Sequence, residues 1–111
     1  MKYKMSLQPK YFDFMKNGTK RIELRLNDEK RSQIQIGDII EFSKSEDDKL
    51  EAEVVGLLQY KNFANLFEDF DISILADSSI TKQELLDVLN EFYTPEKQAR
   101  YGVVGIRLKM L

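Results

Sequence analysis

The sequence contains no cysteine and no histidine, and these two absences exclude several kinds of chemistry. Without cysteine the chain forms no disulfide and no thiolate metal site, and without histidine it has no imidazole for a catalytic triad or a metal cluster. The missing cysteines are typical of a reducing compartment. There is no Gly-rich phosphate loop and no EF-hand spacing, so we expect neither a metal ion nor a cofactor.

The chain also lacks long apolar runs. The N-terminal stretch "MKYKMSLQPK" is too polar for a signal peptide, and no segment approaches the length of a membrane span. With 111 residues, of which 42% are hydrophobic and 32% charged, the composition is that of one globular domain over residues 1–111. We expect a soluble, cytoplasmic protein without a membrane partner.

The formal net charge is −2, which disfavours a general nucleic-acid binder, but the charges are unevenly distributed. Residues 1–35 contain nine Lys/Arg and four Asp/Glu, residues 38–98 contain five and fifteen, and residues 99–111 contain three and none. If the two terminal segments pair in the fold, their basic residues would form a local positive surface that suits an anionic ligand. The alternative is a solvated mixture of charges.

The spacing of apolar residues predicts five strands and three helices in the order β-α-β-β-β-α-α-β. The predicted strands lie in "MKYKMSLQ", "NGTKRIELRL", "IIEFSK", "LEAEVVGLLQY" and "YGVVGIRLKML", and the helices in "PKYFDFMKNG", "NFANLFEDFD" and "ITKQELLDVLNEFY". The segment "EKQARYG" is predicted as a link or a helical turn. Because the strands come mostly in a run, we expect an α+β fold, a small mixed or antiparallel β-barrel flanked by about three helices.

Local signals refine this prediction. The long strand is apolar on both faces after Val55, so its second half should be buried on both sides, with Gly56 marking a bulge. Asn62 and Thr81 are the expected N-caps of the second and third helices. Apolar side chains should form the buried face of the third helix and the inner face of the last strand: Leu85, Leu86, Val88, Leu89, Phe92, and Val104, Ile106, Leu108.

The second strand carries the most suggestive polar residues. Arg21, Glu23 and Arg25 alternate with apolar residues and should share one face, whereas Lys20 has the opposite parity. Lys20 therefore lies before the strand or at a bend. The row could be an exposed charge ladder, a buried structural network, or the lining of a recessed site in which Glu23 orients one arginine and another faces a ligand.

Two further groups could carry chemistry. A desolvated Lys20 would have a lowered pKa and could act as a base or nucleophile, although a neighbouring carboxylate would raise that pKa again. Near the C-terminus, Arg100 supplies positive charge and Tyr101 can stack on a base, with Tyr60 and Tyr93 as further stacking candidates.

The stretches "FMKNGTKRIELRL", "IQIGDIIEF" and "YTPEKQARYGVVGIRL" resemble the ASCH domain family. The shared pattern is a helix, G-x-K-x-x-E-x-R, G-D and a terminal Y-G-V-x-x-I, which puts Lys20, Glu23 and Arg25 on its K, E and R. The resemblance implies a PUA-like β-barrel with a cleft beside it, lined by the K-E-R residues and suited to RNA or a nucleotide-like ligand. The expected binding residues are Lys20, Arg21, Glu23, Arg25, Arg100 and Tyr101.

Some similar proteins are amidohydrolases that deacylate N4-acetylcytidine, so the resemblance also offers an enzymatic alternative. Those enzymes have a lysine at the position of Lys20, a threonine at that of Glu23 and a glutamate shortly before the long helix. Here Ser78 occupies the approximate glutamate position and Asp77 precedes it. If the chain were an enzyme, its catalytic residues would be Lys20, Glu23 and Asp77. The three hypotheses are RNA or nucleotide binding, this amidohydrolase activity, and a structural or protein-interaction domain.

Overall fold

A computed structural model describes residues 1–111 as a five-stranded sheet with five α-helices. The strands are β1 (Lys2–Ser6), β2 (Ile22–Leu26), β3 (Ile39–Ser43), β4 (Lys49–Tyr60) and β5 (Val103–Met110). The helices are α1 (Pro9–Lys16), α2 (Phe63–Asp69), α3 (Ile72–Leu75), α4 (Lys82–Phe92) and α5 (Pro95–Tyr101), and a 3₁₀ turn covers Arg31–Gln33. None of the helices has the length and apolar character that a membrane crossing requires.

The strand order in the sheet is β1-β3-β4-β5-β2. Only β1 and β3 are parallel, and the other three pairs are antiparallel, so the sheet is mixed. The sheet curls into a half-barrel whose two edges, β1 and β2, approach each other without pairing. The predicted α+β class and PUA-like architecture are confirmed.

The two terminal segments pair through β2, which lies within residues 1–35 and is antiparallel to β5, whereas β1 and β5 are not neighbours in the sheet. The last strand lies between β4 and β2, and β1 is separated from it by β3 and β4. The basic side chains of these segments have different surroundings: Arg25 enters a buried cluster, Arg100 is exposed on α5, and Arg107 packs beside Gly56. Pairing of the two segments therefore does not place these three arginines in one common environment.

Apolar side chains cover both faces of the sheet. One core contains the apolar residues of β2 together with helices α2, α3 and α4, and the other contains residues of β1, β3, β4 and β5 with α1. Val104, Ile106 and Leu108 belong to the second core, as predicted for the last strand. The strand β5 contributes to both cores, because Val103 at its start belongs to the first core.

The strand β4 differs from its prediction in burial. Its register shifts between Val54 and Gly56, which confirms the predicted bulge. A Cβ atom at Gly56 would lie 3.2 Å from Cβ of Arg107, so the close approach of β5 favours glycine there. At the bulge Val55 is 41% exposed, and beyond it Leu57 and Leu58 are only half-buried, because the open half-barrel leaves this end of the strand partly uncovered.

Helix ends follow the local sequence signals. The side chain of Asn62 accepts a hydrogen bond from the Asn65 amide at 2.8 Å, and the Thr81 hydroxyl accepts one from the Glu84 amide at 3.1 Å. Both predicted N-caps are therefore confirmed. Of the two predictions for the segment after Pro95, a link or a helical turn, the helical one is confirmed: the segment belongs to the helix α5, which is capped by Gly102 with φ of +72°. Besides the three predicted helices, the fold thus contains two further ones, α3 with four residues and α5 with seven.

Candidate functional site

A pocket of about 380 Å³ lies where the two edge strands of the half-barrel approach each other. We call it the seam pocket. One side is formed by the end of β1 and the start of α1, the other by the β2 segment, and α4 covers it. Its lining residues are Ser6, Leu7, Gln8, Tyr11, Lys20, Glu23, Leu24, Arg25, Leu85, Val88, Leu89, Phe92 and Tyr93.

Arg25 bridges the seam. Its Nη2 donates to the carbonyl oxygen of Ser6 at 2.9 Å, which links β2 to the end of β1 where no strand pairing exists. Its Nε donates to Oε2 of Glu23 at 2.9 Å, and Nη2 lies 2.8 Å from the same oxygen. The side chain is only 13% exposed. The arginine therefore holds two edges of the barrel together while it forms part of the pocket floor.

Lys20 lies in the bend between α1 and β2 and is almost fully buried, with 2% of its surface exposed. The strand begins at Ile22, which explains how Lys20 and Glu23 meet although their parities differ. The ammonium group donates to the carbonyl oxygens of Ile22 at 2.6 Å and Leu75 at 2.8 Å, and it lies 3.4 Å from Oε1 of Glu23. Lys20 thereby ties the end of α3 to the edge of the sheet.

Glu23 lies between the two cations and is 4% exposed. Its Oε1 accepts from the Leu24 amide at 3.1 Å. Ile22 and Leu24 alternate with the residues that face β5, so their peptide groups point to the free edge of β2. The Lys20 and Glu23 side chains satisfy a carbonyl and an amide at this edge, where an unpaired strand would otherwise expose them.

The charges in this cluster shift each other's pKa values. Burial lowers the pKa of Lys20, because desolvation penalises the ammonium form more than the nearby Glu23 carboxylate favours it. Burial alone would raise the pKa of Glu23, but the charges of Arg25 and Lys20 and the hydrogen bonds to the carboxylate together lower it. For Arg25 the Glu23 carboxylate and the neighbouring Tyr93 outweigh burial and raise the pKa. The cluster is therefore built around an ionised Glu23.

The walls of the seam pocket are mainly apolar and aromatic. Tyr11 lies on α1, and Val88, Leu89, Phe92 and Tyr93 come from α4 and its C-terminal end. The sequence predicted that Val88 and Phe92 are buried in the core, but Val88 is half-buried and Phe92 is 58% exposed, because the pocket lies between α4 and the sheet edge. Apolar spacing on a helix cannot distinguish a core contact from a pocket wall.

Four residues from the predicted site lie outside the seam pocket, and Arg21 and Asp77 are two of them. Arg21 precedes β2 and is exposed, with its Nε donating to the Gly18 carbonyl oxygen at 3.2 Å. The carboxylate of Asp77 accepts from the Ser79 amide at 2.8 Å, and hydrogen bonds to Ser79 lower its pKa. Neither residue is among those that line the pocket with Lys20 and Glu23.

Arg100 and Tyr101 lie on α5 and border a different concave surface, together with Tyr60. The structure thus brings together Lys20 and Glu23 with Arg25, and separates them from the two C-terminal residues predicted for the same site. Tyr93, a predicted stacking candidate, does line the seam pocket. There is no group of three or more acidic side chains placed to hold a metal ion.

Comparisons with known proteins agree with this architecture. The model of the family described as ASCH domain matches residues 5–111. The chain is similar to the hypothetical protein PH0355, with 39% sequence identity over 100% of both chains, and the crystal structure of that protein superimposes with a TM-score of 0.89. The NMR structure of protein PF0455 from Pyrococcus furiosus is 35% identical over 100% of this chain and 98% of that one, with a TM-score of 0.80.

A more distant structure has the same fold. The S128A mutant of ZmASCH from Zymomonas mobilis is 12% identical and has a TM-score of 0.66, over 96% of this chain and 66% of that one. None of the curated proteins matches the chain significantly. The match of the family model over almost the whole length, together with the half-barrel and its K-E-R cluster, shows that this chain belongs to the ASCH domain family.

Proposed function

We propose that this ASCH domain binds single-stranded RNA or a nucleotide-like ligand and holds one base in the seam pocket. The observation that carries the proposal is the combination of apolar and aromatic walls with a floor formed by Lys20, Glu23 and Arg25. Small-molecule sites usually have this composition, and the volume of about 380 Å³ lies within their usual range. Family membership agrees with an RNA-binding role.

The walls suit the faces of a base. Tyr11, Phe92 and Tyr93 border the pocket, and Phe92 is exposed enough to meet a ligand that enters from solvent. Single-stranded nucleic acids are commonly bound by stacking of unpaired bases on aromatic side chains, each stack contributing about 1–3 kcal/mol. A flat, partly apolar ligand would therefore displace water from a surface that is poorly hydrated.

The floor suits the polar edge of a base. Arg25 uses Nε and Nη2 for its hydrogen bonds to Glu23 and Ser6, so Nη1 can donate to a ligand beside the neighbouring Tyr93. Glu23 supplies acceptor oxygens beside these donors. The Lys20 ammonium is already bonded to two carbonyl oxygens and Glu23, and its contribution is to hold the carboxylate and the sheet edge in place.

One observation favours the amidohydrolase alternative: burial lowers the pKa of Lys20, as a catalytic lysine requires. Two others favour binding. The ammonium protons point at Ile22, Leu75 and Glu23, so a free lone pair requires breaking those contacts. Asp77, the other carboxylate considered for proton transfer, does not line the pocket. We therefore place binding ahead of hydrolysis.

The test uses isothermal titration calorimetry with single nucleosides, including N4-acetylcytidine, and a single-stranded RNA decanucleotide. Val88→Trp places a large ring at a half-buried position in the pocket wall, and Glu91→Trp adds the same ring at an exposed position of the same helix. We expect at least one nucleoside to bind. Val88→Trp should lower its affinity by about tenfold or more, because the added ring fills the space of the base, and this loss corresponds to roughly one base stack. Glu91→Trp should bind like the wild type.

Two results would contradict the proposal. Binding that Val88→Trp leaves unchanged would place the ligand elsewhere, and the absence of binding by every nucleoside would leave the pocket without its proposed occupant. Incubation of the protein with N4-acetylcytidine, followed by chromatographic detection of cytidine, tests the enzymatic alternative. Turnover that is lost in Lys20→Arg while the fold is retained would replace the binding proposal by hydrolysis.

A further inference from the structure

A second concave surface, of about 1140 Å³, lies on the other side of α4 from the seam pocket. It is formed by the end of β4, the start of α2, and α5, with Leu86 and Asn90 of α4 at its border. We call it the amide groove, because six of its fifteen lining residues are asparagine or glutamine. Nothing in the seam-pocket proposal explains this composition.

The residues that line the amide groove include two cations and no carboxylate. None of its lining residues is Asp or Glu, although the chain contains 19 acidic residues among 111. Lys61 and Arg100 both border the groove, are exposed, and form no salt bridge. Two uncompensated cations in a concave surface attract an anionic ligand.

Tyr101 supplies an aromatic surface beside these cations. It is 40% exposed, and Cζ of Arg100 lies 5.3 Å from the centroid of its ring. An exposed ring held next to a guanidinium group is a suitable platform for a stacked base whose phosphate meets the arginine. By contrast, the Tyr60 hydroxyl is already bonded to Asp69.

The amide side chains divide into two groups. Asn62 caps α2, and Asn90 and Gln98 bond to each other, with Gln98 also accepting from the Phe63 amide, so these three maintain the walls. The remaining three make no side-chain hydrogen bond within the protein, which leaves both donors and acceptors free: Asn27, Gln59 and Asn65. Carboxamides of this kind pair with base edges, which carry a donor beside an acceptor.

We propose that the amide groove binds nucleotides of the same RNA strand whose base occupies the seam pocket. This inference rests on the proposed RNA-binding function and adds a second subsite to it. The two surfaces meet near the C-terminal end of α4, where Phe92 and Tyr93 border the pocket and Pro95 borders the groove. A strand that crosses this end of the helix reaches Tyr101 and Arg100.

The experiment measures the binding of a fluorescently labelled single-stranded RNA decanucleotide by anisotropy at several salt concentrations. Arg100→Gln removes a groove cation, and Tyr101→Leu removes the ring while keeping an apolar side chain. Lys97→Gln is the matched control, because Lys97 is an exposed cation of the same helix that does not line the groove. Calorimetry with the nucleoside that binds the wild type reports on the seam pocket alone.

We expect Tyr101→Leu to weaken decanucleotide binding by about tenfold, in line with one lost stack, and to leave nucleoside binding unchanged. Arg100→Gln should lower the slope of log affinity against log salt by about 0.7, as for one lost phosphate contact on a single strand. Lys97→Gln should leave the decanucleotide affinity and its salt dependence near those of the wild type.

The groove proposal fails if both groove variants bind the decanucleotide like Lys97→Gln. It also fails if a polyglutamate peptide displaces the RNA as effectively as unlabelled RNA does, because the groove would then recognise negative charge in general. These outcomes differ from failure of the seam pocket. If no nucleoside binds while the groove variants still weaken the decanucleotide, the groove assignment stands and the pocket assignment falls.

Discussion

The seam pocket and the amide groove both contain cations and tyrosines, but they use them differently. In the seam pocket the Lys20 ammonium and the Glu23 carboxylate are buried and bonded to the protein. In the amide groove Lys61 and Arg100 are exposed and form no ion pair. Charged residues at a candidate site thus fall into two classes, those that hold the site together and those that remain available to a ligand.

This difference predicts where a substitution affects stability and where it affects binding alone. A buried ion pair that loses one partner leaves the other charge without compensation, whereas an exposed cation leaves only water behind. Arg25 stands between the two classes, because it bridges the strands and still has donors that face the pocket.

The largest expected effect is that of Lys20→Met. The substitution leaves the carbonyl oxygens of Ile22 and Leu75 without their donor and Glu23 without one of its cations, so the free energy of unfolding should fall by about 3–5 kcal/mol. Urea denaturation followed by circular dichroism measures it. Lys10→Met, at an exposed position, should change the value by less than about 0.5 kcal/mol. Equal losses in the two variants would show that the buried cluster does not stabilise the fold.

The second prediction concerns the stability of the fold at low pH. The pKa of Glu23 is lower in the folded state than in the unfolded state. The carboxylate therefore contributes fully to the free energy of unfolding above its unfolded pKa of about 4.3, and this contribution is lost as the pH falls through its folded pKa. The wild type should therefore lose stability more steeply below about pH 4 than Glu23→Gln, by up to about 1.4 kcal/mol per pH unit.

The control for this measurement is built into the comparison of the two proteins. Asp38, Asp71 and Asp77 also have lowered pKa values through their backbone and side-chain hydrogen bonds, and they are present in both proteins. Only the difference between the two unfolding curves therefore reports on Glu23. Parallel curves between pH 3 and 5 would mean that Glu23 does not titrate as a stabilising carboxylate.

Gly102→Ala tests the backbone at the border of the amide groove. Gly102 has φ of +72° and ψ of −177°, a region that only glycine adopts readily, and an added Cβ would lie 3.1 Å from the carbonyl oxygen of Tyr60. The expected loss is about 1–3 kcal/mol in thermal or urea unfolding. Gly18→Ala is the control, since Gly18 also has a positive φ but no atom within 4 Å of its Cβ position, and about 1 kcal/mol is expected. A smaller loss for Gly102→Ala than for Gly18→Ala would contradict the assigned contact.

The smallest effect on stability is expected in the amide groove. Arg100→Gln and Tyr101→Leu remove exposed groups without a buried partner, so each should change the free energy of unfolding by less than about 0.5 kcal/mol. The same unfolding measurements provide the test. A loss above 2 kcal/mol, comparable to that of breaking a buried interaction, would show that the groove residues maintain the fold and would remove the contrast with the seam pocket.

Much of the fold could be read from local signals. The caps at Asn62 and Thr81, the bulge at Gly56 and the inward residues of β5 each follow from interactions over a few residues of sequence. The two short helices were harder. In the segment after Thr94-Pro95 the proline and the capping threonine are helix-start signals, but the helix α5 is only seven residues long and has little apolar periodicity.

The candidate site was predicted only in part. The K-E-R spacing singled out Lys20, Glu23 and Arg25, which the fold does bring together, but the sequence also assigned Arg100 and Tyr101 to the same site. The walls supplied by Val88 and Phe92 resembled ordinary core positions. Whether an apolar residue on a helix contacts a core residue or a cavity depends on the distance between that helix and the sheet. The spacing of apolar residues in the sequence carries no information about this distance.

The sequence by itself determined the five strands, three of the five helices, and the group of charged residues near the exit of α1, because these depend on dihedral preferences and contacts between near neighbours. The tertiary structure alone decided that β5 pairs with β2 and not with β1, and that the two edges of the sheet stay open and are bridged by Arg25. It also decided which cations are buried. Strand pairing and burial are set by contacts between residues distant in sequence, and these arise only when the whole core is assembled.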